Sequence, residues 1–134
     1  MDRILLAYDG SEESKRALDA AAALGGEGAN VLVVTVAQPL STVGFDTVPN
    51  PFSEEEQTEI VEEAIELLTE KGENPVAVRP VGSRVEEIVG TAQDWNADLI
   101  VIGTRGYGLL GRMLFGSTSR GVVGRAPCNV LVVH

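Results

Sequence analysis

A glycine- and arginine-rich stretch near the end of the chain carries residue types that bind anions. Residues 103–121, GTRGYGLLGRMLFGSTSRG, contain six glycines and three arginines but no acidic side chain. No Asp or Glu follows Asp98, although the chain has 20 Asp and Glu against 10 Lys and Arg and a formal net charge of -10. Glycines let a backbone approach a ligand closely, and arginines attract phosphate groups. The stretch therefore predicts an anion cradle; a solvated flexible loop before an ordinary helix start is the alternative.

Two common phosphate-binding motifs do not account for this stretch. Residues 106–111 match GxGxxG, but a dinucleotide fingerprint should follow the first strand and have an acid about 20 residues later. Here the match follows the fourth predicted strand, and no acid lies downstream. The P-loop motif ends in Gly-Lys-Ser/Thr, whereas Gly116-Ser117 has no adjoining lysine. The spacing that remains is Gly103-x2-Gly106-x9-Gly116-Ser117.

Apolar β-rich runs alternate with helical patterns along the whole chain. Strands are predicted at 3–8, 30–36, 75–81, 98–102 and 129–133. Helix starts are predicted at an N-cap, Ser11, at two capping boxes, Ser53 with Glu56 and Ser83 with Glu86, and at about Ser117. Gly25-Gly26 ends the first helix, and the last one stops before Pro127. Continuous Val, Ile and Leu strands between helices indicate a parallel sheet covered on both faces. The predicted fold class is α/β: one doubly wound sheet of five parallel strands with helices on both faces, in a single domain of residues 1–134.

Composition excludes several classes of protein. No apolar run approaches the roughly 20 residues of a membrane span, and the N-terminus lacks the apolar core of a signal peptide. An acidic pI near 4.4 argues against general binding to nucleic acids or anionic membranes. Cys128 is the single cysteine and His134 the single histidine, so neither a disulfide, a structural zinc site nor a Ser–His–Asp triad is expected. We expect a cytoplasmic protein that contacts neither nucleic acid nor membrane.

Both ends of the chain resemble the universal stress protein family of the UspA type. The first is ILLAYDGSEES, with Asp9 just past the first strand; the second is DLIVIGTRG, the glycine spacing above and the terminal PCNVLVV. The resemblance covers the chain except for the loop at about 37–52. It implies a Rossmann-like fold of the adenine nucleotide alpha-hydrolase type, and ATP as the ligand, together with Mg²⁺.

The resemblance also implies where the parts of ATP lie. Adenine and ribose would lie near the ends of the first two strands, and the phosphates near the glycine stretch. Asp9 would accept hydrogen bonds from ribose hydroxyls, although a turn or cap acid before Ser11 is an ordinary role for it. Ile102 would pack on the base or ribose, or belong simply to the core. The candidate nucleotide-binding residues are Ala7, Tyr8, Asp9, Val36, Ile102, Gly103, Arg105, Gly106, Gly116, Ser117 and Thr118.

The phosphate part of this prediction has a physical basis of its own. Gly103 and Gly106 are expected to allow close approach of the backbone and positive φ. Gly116 and Ser117 are expected to present backbone N–H groups at a helix N-terminus, where the helix dipole favours phosphate. The hydroxyls of Ser117 and Thr118 add hydrogen-bond donors.

The predicted function is that of an ATP-binding stress-response regulator or interaction protein. The alternatives are a stress protein that works purely through protein contacts, a slow ATPase, and an enzyme of the same architecture. Enzyme signatures such as SGGxDS do not occur in this chain, and no catalytic or metal-ligating residue is predicted. The last strand, 129–133, is apolar and lacks lysine and proline, which predicts a homodimer if it lies at the edge of the sheet. The family resemblance implies the same.

Overall fold

Strands and helices alternate from one end of the described chain to the other. The computed structural model describes residues 2–37, 54–104 and 117–134. In order, these residues form β1 (Arg3–Ala7), α1 (Glu12–Gly25), β2 (Asn30–Val34), α2 (Glu54–Glu70), β3 (Asn74–Val78), α3 (Arg84–Trp95), β4 (Leu99–Gly103), α4 (Ser117–Arg125) and β5 (Asn129–Val133). The predicted alternation is confirmed for the described residues.

All five strands belong to one parallel sheet, in the order β3-β2-β1-β4-β5. The chain moves outward from β1 to β3, then crosses to β4 and continues to β5. Right-handed crossovers in opposite directions place α1 and α2 on one face of the sheet and α3 and α4 on the other. The doubly wound fold is confirmed. Its topological switch point lies between β1 and β4, which is where such folds bind ligands.

Side chains from the central strands pack into a separate core on each face. Alternate residues of a strand point to opposite faces, so Ile4 and Leu6 join α1 and α2 while Leu5 joins α3 and α4. Leu18 and Leu68 are fully buried on the first face, and Val122 on the second. Burial on both sides explains why the central strands read as unbroken apolar runs.

Local capping signals place the helix ends. Ser11 caps α1 as predicted, since its side chain accepts a hydrogen bond from the Ser14 backbone N–H at 3.2 Å. Gly26, with φ of 70°, ends that helix. Ser83 precedes α3, but its side chain makes no capping hydrogen bond, so the capping box predicted with Glu86 is wrong. The capping box predicted at Ser53 lies outside the described residues.

The edge strand β3 differs most from its prediction. It ends at Val78 rather than residue 81, and beyond it only an isolated bridge joins Val81 to Ala37. Pro80 contributes to this early end because it has no amide hydrogen. Helix α2 covers one face of β3, but Val76 is 62 % exposed, so the prediction of a sheet covered on both faces is wrong at this edge.

Candidate functional site

The carboxyl ends of β1 and β4 lie side by side at the switch point. Leu6 pairs with Val101, so β1 and β4 end at nearly the same level of the sheet. Tyr8 and Asp9 follow β1 there, and Thr104 follows β4. Helix α4 begins beside this edge, because the Ser119 hydroxyl lies 3.4 Å from the Thr104 carbonyl oxygen and donates to it. The structure thus brings together three of the segments that were predicted from separate parts of the sequence.

Asp9 lies in a turn between β1 and α1. Its Oδ1 accepts a hydrogen bond from the Ser11 backbone N–H at 2.9 Å. Its own backbone N–H donates to the Ser14 hydroxyl at 3.4 Å. The turn role named as an alternative is therefore present, and it holds the carboxylate at the end of β1.

Tyr8 points away from the carboxyl edge and into the core under α1 and α2. Its side chain is 2 % exposed, and its hydroxyl donates a hydrogen bond to the carboxylate of Glu63 on α2. Burial, followed by the hydrogen bond and the negative charge of Glu63, raises the pKa of the Tyr8 phenol. The phenol therefore remains protonated at neutral pH and serves as a link between β1 and α2. The Tyr8 backbone lies at the end of β1, whereas its ring lies in the core.

Two threonines that the sequence reasoning did not single out join strand ends at this edge. The Thr35 hydroxyl donates to the Tyr8 carbonyl oxygen at 2.9 Å, and Thr35 is 5 % exposed. The Thr104 backbone N–H donates to the Val133 carbonyl oxygen at 2.8 Å, which ties β4 to the end of β5. The available signal was a hydroxyl-bearing residue directly after an apolar run, as in NVLVVT and LIVIGT.

Gly103 has a packing role that was not predicted from the sequence. It does not adopt positive φ, so that prediction is wrong. A Cβ at this position would lie 2.8 Å from the Glu13 Cβ and 2.9 Å from the Glu13 carbonyl carbon. Gly103 is thus required by the close packing of α1 on β4.

Three more candidate residues have their side chains in or against the core under α3 and α4. Ile102 and Ala7 are 6 % and 8 % exposed, and Val36 packs against the same core while partly buried. The ordinary core role of Ile102 is therefore the one the structure displays.

The first turn of α4 carries hydroxyls and no acid. Ser117 is exposed, Thr118 is partly buried and Ser119 is buried. The positive end of the helix dipole at this turn favours an anion. The remaining candidates, Arg105, Gly106 and Gly116, lie outside the described residues.

Two kinds of feature are absent from the described part of the chain. Across residues 2–37, 54–104 and 117–134, no group of three or more His, Cys, Asp or Glu side chains is arranged to hold a metal ion. None of the helices in these ranges is both long and apolar enough to cross a membrane.

Comparison with known proteins gives a consistent result along the whole chain. Residues 1–134 match the model of the universal stress protein family. A universal stress protein of Thermus aquaticus is 41 % identical over 139 residues, covering 98 % of this chain and 97 % of that protein. The YxiE universal stress protein of Bacillus subtilis is 32 % identical over 146 residues, covering 99 % of each chain.

Solved structures agree with the sequence comparison. A universal stress protein in complex with cAMP superposes with a TM-score of 0.75 at 27 % identity, covering 99 % of this chain and 97 % of that one. A universal stress protein of Archaeoglobus fulgidus has a TM-score of 0.74 at 26 % identity, covering 100 % of this chain and 94 % of that one. Sequence and fold agree, and this chain belongs to the universal stress protein family.

Proposed function

We propose that this protein binds adenine nucleotides, ATP above all, at the carboxyl edge between β1 and β4. In this proposal it acts as a nucleotide-dependent regulator or interaction protein in the stress response. The observation that carries the proposal is the acid-free first turn of α4 beside the end of β4, in a chain of net charge -10. A protein this acidic repels a triphosphate elsewhere on its surface, so an acid-free helix N-terminus at the switch point is where one can bind.

The donors near this edge fit the phosphates of a nucleotide. The backbone N–H groups and hydroxyls of Ser117 and Thr118 suit phosphate oxygens. Arg105 and the glycines Gly106 and Gly116 are proposed to complete the cradle, on the strength of their spacing and charge. Mg²⁺ would be held mainly by the phosphates and water, as is usual for this ion, because it keeps several waters when bound to nucleotides.

The ribose and the base are proposed to lie against the ends of β1 and β2. Asp9 is the carboxylate at the end of β1, and two hydrogen-bond acceptor oxygens suit vicinal ribose hydroxyls. Val36, which is partly buried, is proposed to supply neighbouring apolar surface, and Ala7 and Ile102, whose side chains are buried, to supply backbone groups. The first turn of α4 carries neither a carboxylate nor a histidine to orient an attacking water, so any hydrolysis of ATP is expected to be slow.

A relative solved in complex with cAMP supports an adenine nucleotide as the ligand. A cyclic monophosphate and a triphosphate differ in phosphate charge and length, and the proposed cradle of residues 105–117 favours the longer, more highly charged ligand. Titration calorimetry with MgATP, ADP and cAMP against the same protein ranks them directly.

The test of the proposal pairs two glycine substitutions. Gly116→Val places a branched side chain against the proposed phosphate position and is expected to abolish MgATP binding. Gly124→Val is the matched control on α4, because a Cβ at Gly124 has no neighbour within 4 Å. Wild type that binds no nucleotide in calorimetry, or Gly116→Val protein that binds as wild type does, would contradict the proposal and favour a protein that works through protein contacts alone.

We also propose that two copies associate through β5. β5 is one of the two edge strands, and because the Val133 carbonyl oxygen faces β4, the backbone groups of Val130 and Val132 face outward. Antiparallel pairing with the same strand of a second copy satisfies these groups with two-fold symmetry.

The opposite edge of the sheet is less suited to such pairing. In β3 the Val78 carbonyl faces β2, so Pro75, Ala77 and Arg79 face outward, and Pro75 has no N–H to donate. The contrast between the two edges supports β5 as the pairing strand.

A further inference from the structure

We propose that Thr35 is a positioning residue for nucleotide recognition, which it serves by holding the peptide bond between Tyr8 and Asp9. The assignment rests on the proposed function and explains how the Asp9 carboxylate is positioned. Thr35 directly follows β2, lies 27 residues from Tyr8 in the chain, and donates its hydroxyl to the Tyr8 carbonyl oxygen.

Hydrogen bonds hold the Tyr8–Asp9 peptide at both of its polar atoms. Its carbonyl oxygen accepts from the Thr35 hydroxyl at 2.9 Å. Its N–H, which belongs to Asp9, donates to the Ser14 hydroxyl at 3.4 Å. Both hydroxyls are buried, Thr35 being 5 % and Ser14 4 % exposed, so water does not readily replace either one.

This peptide lies where the ladder of strand hydrogen bonds gives way to the turn. The Tyr8 N–H still donates to the Val34 carbonyl oxygen at 3.0 Å, but β1 ends at Ala7 and β2 at Val34. Past that point the hydroxyl of Thr35, rather than a backbone N–H, donates the hydrogen bond that joins the ends of β2 and β1. Thr35 is anchored in turn, because its own backbone N–H donates to the Val78 carbonyl oxygen at 3.1 Å.

The direction of the Asp9 carboxylate depends on this peptide together with the Ser11 backbone N–H, which donates to Oδ1. The Asp9 side chain begins one bond after the held N–H, so a rotation of the peptide swings the carboxylate away from the end of β1. A valine at position 35 has nearly the same shape as threonine but no hydroxyl, and it leaves the Tyr8 carbonyl without that donor. We expect Thr35→Val to keep the fold and to release the carboxylate from its position.

The measurement uses two ligands that differ only in the ribose. ATP has the 2′ and 3′ hydroxyls that Asp9 is proposed to accept, and 2′,3′-dideoxy-ATP lacks both. Calorimetry on wild type is expected to show a clear preference for ATP. In Thr35→Val, ATP binding is expected to weaken by about 5- to 30-fold, the equivalent of about 1 to 2 kcal/mol, with binding of dideoxy-ATP changed less than about twofold.

Two control variants separate positioning from a general loss of structure. Thr35→Ser keeps the hydroxyl and is expected to retain the wild-type preference for ATP over dideoxy-ATP. Val33→Ala, in β2 two residues before Thr35, removes fully buried apolar volume under α1 and α2 and is expected to lower the melting temperature without changing the preference.

Each outcome decides between the proposals. Wild type that binds neither nucleotide overturns the proposed function and this assignment with it. Wild type that binds ATP and dideoxy-ATP equally leaves nucleotide binding intact but overturns the assignment. The assignment is also overturned if Thr35→Val keeps the wild-type preference, or if Val33→Ala loses the preference to the same degree.

Discussion

Replacing Gly103 with alanine tests whether this glycine serves helix packing. The added Cβ would lie 2.8 Å from the Glu13 Cβ, 2.9 Å from its carbonyl carbon and 3.1 Å from its carbonyl oxygen. The latter two atoms belong to the backbone of α1, so no side-chain rotation relieves the clash, and the helix must move off β4. Overpacking of this kind costs about 1–3 kcal/mol, and we expect roughly 2–3 because the backbone is involved.

Gly90→Ala provides the matched control. Gly90 lies inside α3, and a Cβ there has no neighbour within 4 Å. Alanine in a helix interior is more stable than glycine by roughly 0.5–1 kcal/mol, so this variant should be more stable than wild type. The same glycine-to-alanine substitution is therefore expected to lower the free energy of unfolding at Gly103 and to raise it at Gly90.

Urea unfolding, followed by the fluorescence of Trp95, measures the free energy of unfolding of both variants. Trp95 is a suitable probe because it is the single tryptophan and packs against the core. For a chain of this size, a loss of 2–3 kcal/mol lowers the melting temperature by roughly 6–15 °C. If Gly103→Ala unfolds at the wild-type urea concentration with an unchanged slope, the packing role assigned to Gly103 is wrong.

Two other substitutions test the Tyr8 link and the dimer. Burial and Glu63 raise the pKa of Tyr8 in the folded protein. The stabilisation that the protonated Tyr8 phenol gives the fold is therefore fully present below about pH 10, the pKa of an unfolded tyrosine. Above that pH the free energy of unfolding falls by up to about 1.4 kcal/mol per pH unit. Urea unfolding from pH 8 to 11 should show this loss in wild type and not in Tyr8→Phe, and parallel pH profiles would refute the link. Val132→Lys on β5 should convert a dimer to monomers in light scattering at micromolar concentration, whereas Val76→Lys, exposed on β3, should not. A monomeric wild type would end the dimer proposal.

Local sequence signals were enough to predict the order and type of the elements. The apolar runs of the central strands, the Ser11 cap and the Gly25-Gly26 stop each act within a few contiguous residues, so they are readable without the fold. Alternation of such strands with helices restricts the topology to a doubly wound sheet, and the order β3-β2-β1-β4-β5 agrees with it. The placement of Asp9 and Ser117 near one edge follows from the same rule, since parallel strands share their carboxyl ends.

The roles of particular residues depended on segments that are distant in sequence. The packing of Gly103 against the backbone of Glu13 arises only when the fold places α1 on β4, and no local pattern around either residue predicts it. Thr35 is an ordinary residue after an apolar run until the sheet brings it 2.9 Å from the Tyr8 carbonyl oxygen. Likewise, Tyr8 is directed into the core by Glu63 on α2 rather than toward the carboxyl edge. Sequence periodicity sets which face of an element is apolar, but the contacts that cross between elements exist only once the chain has folded, and they decide what each side chain does.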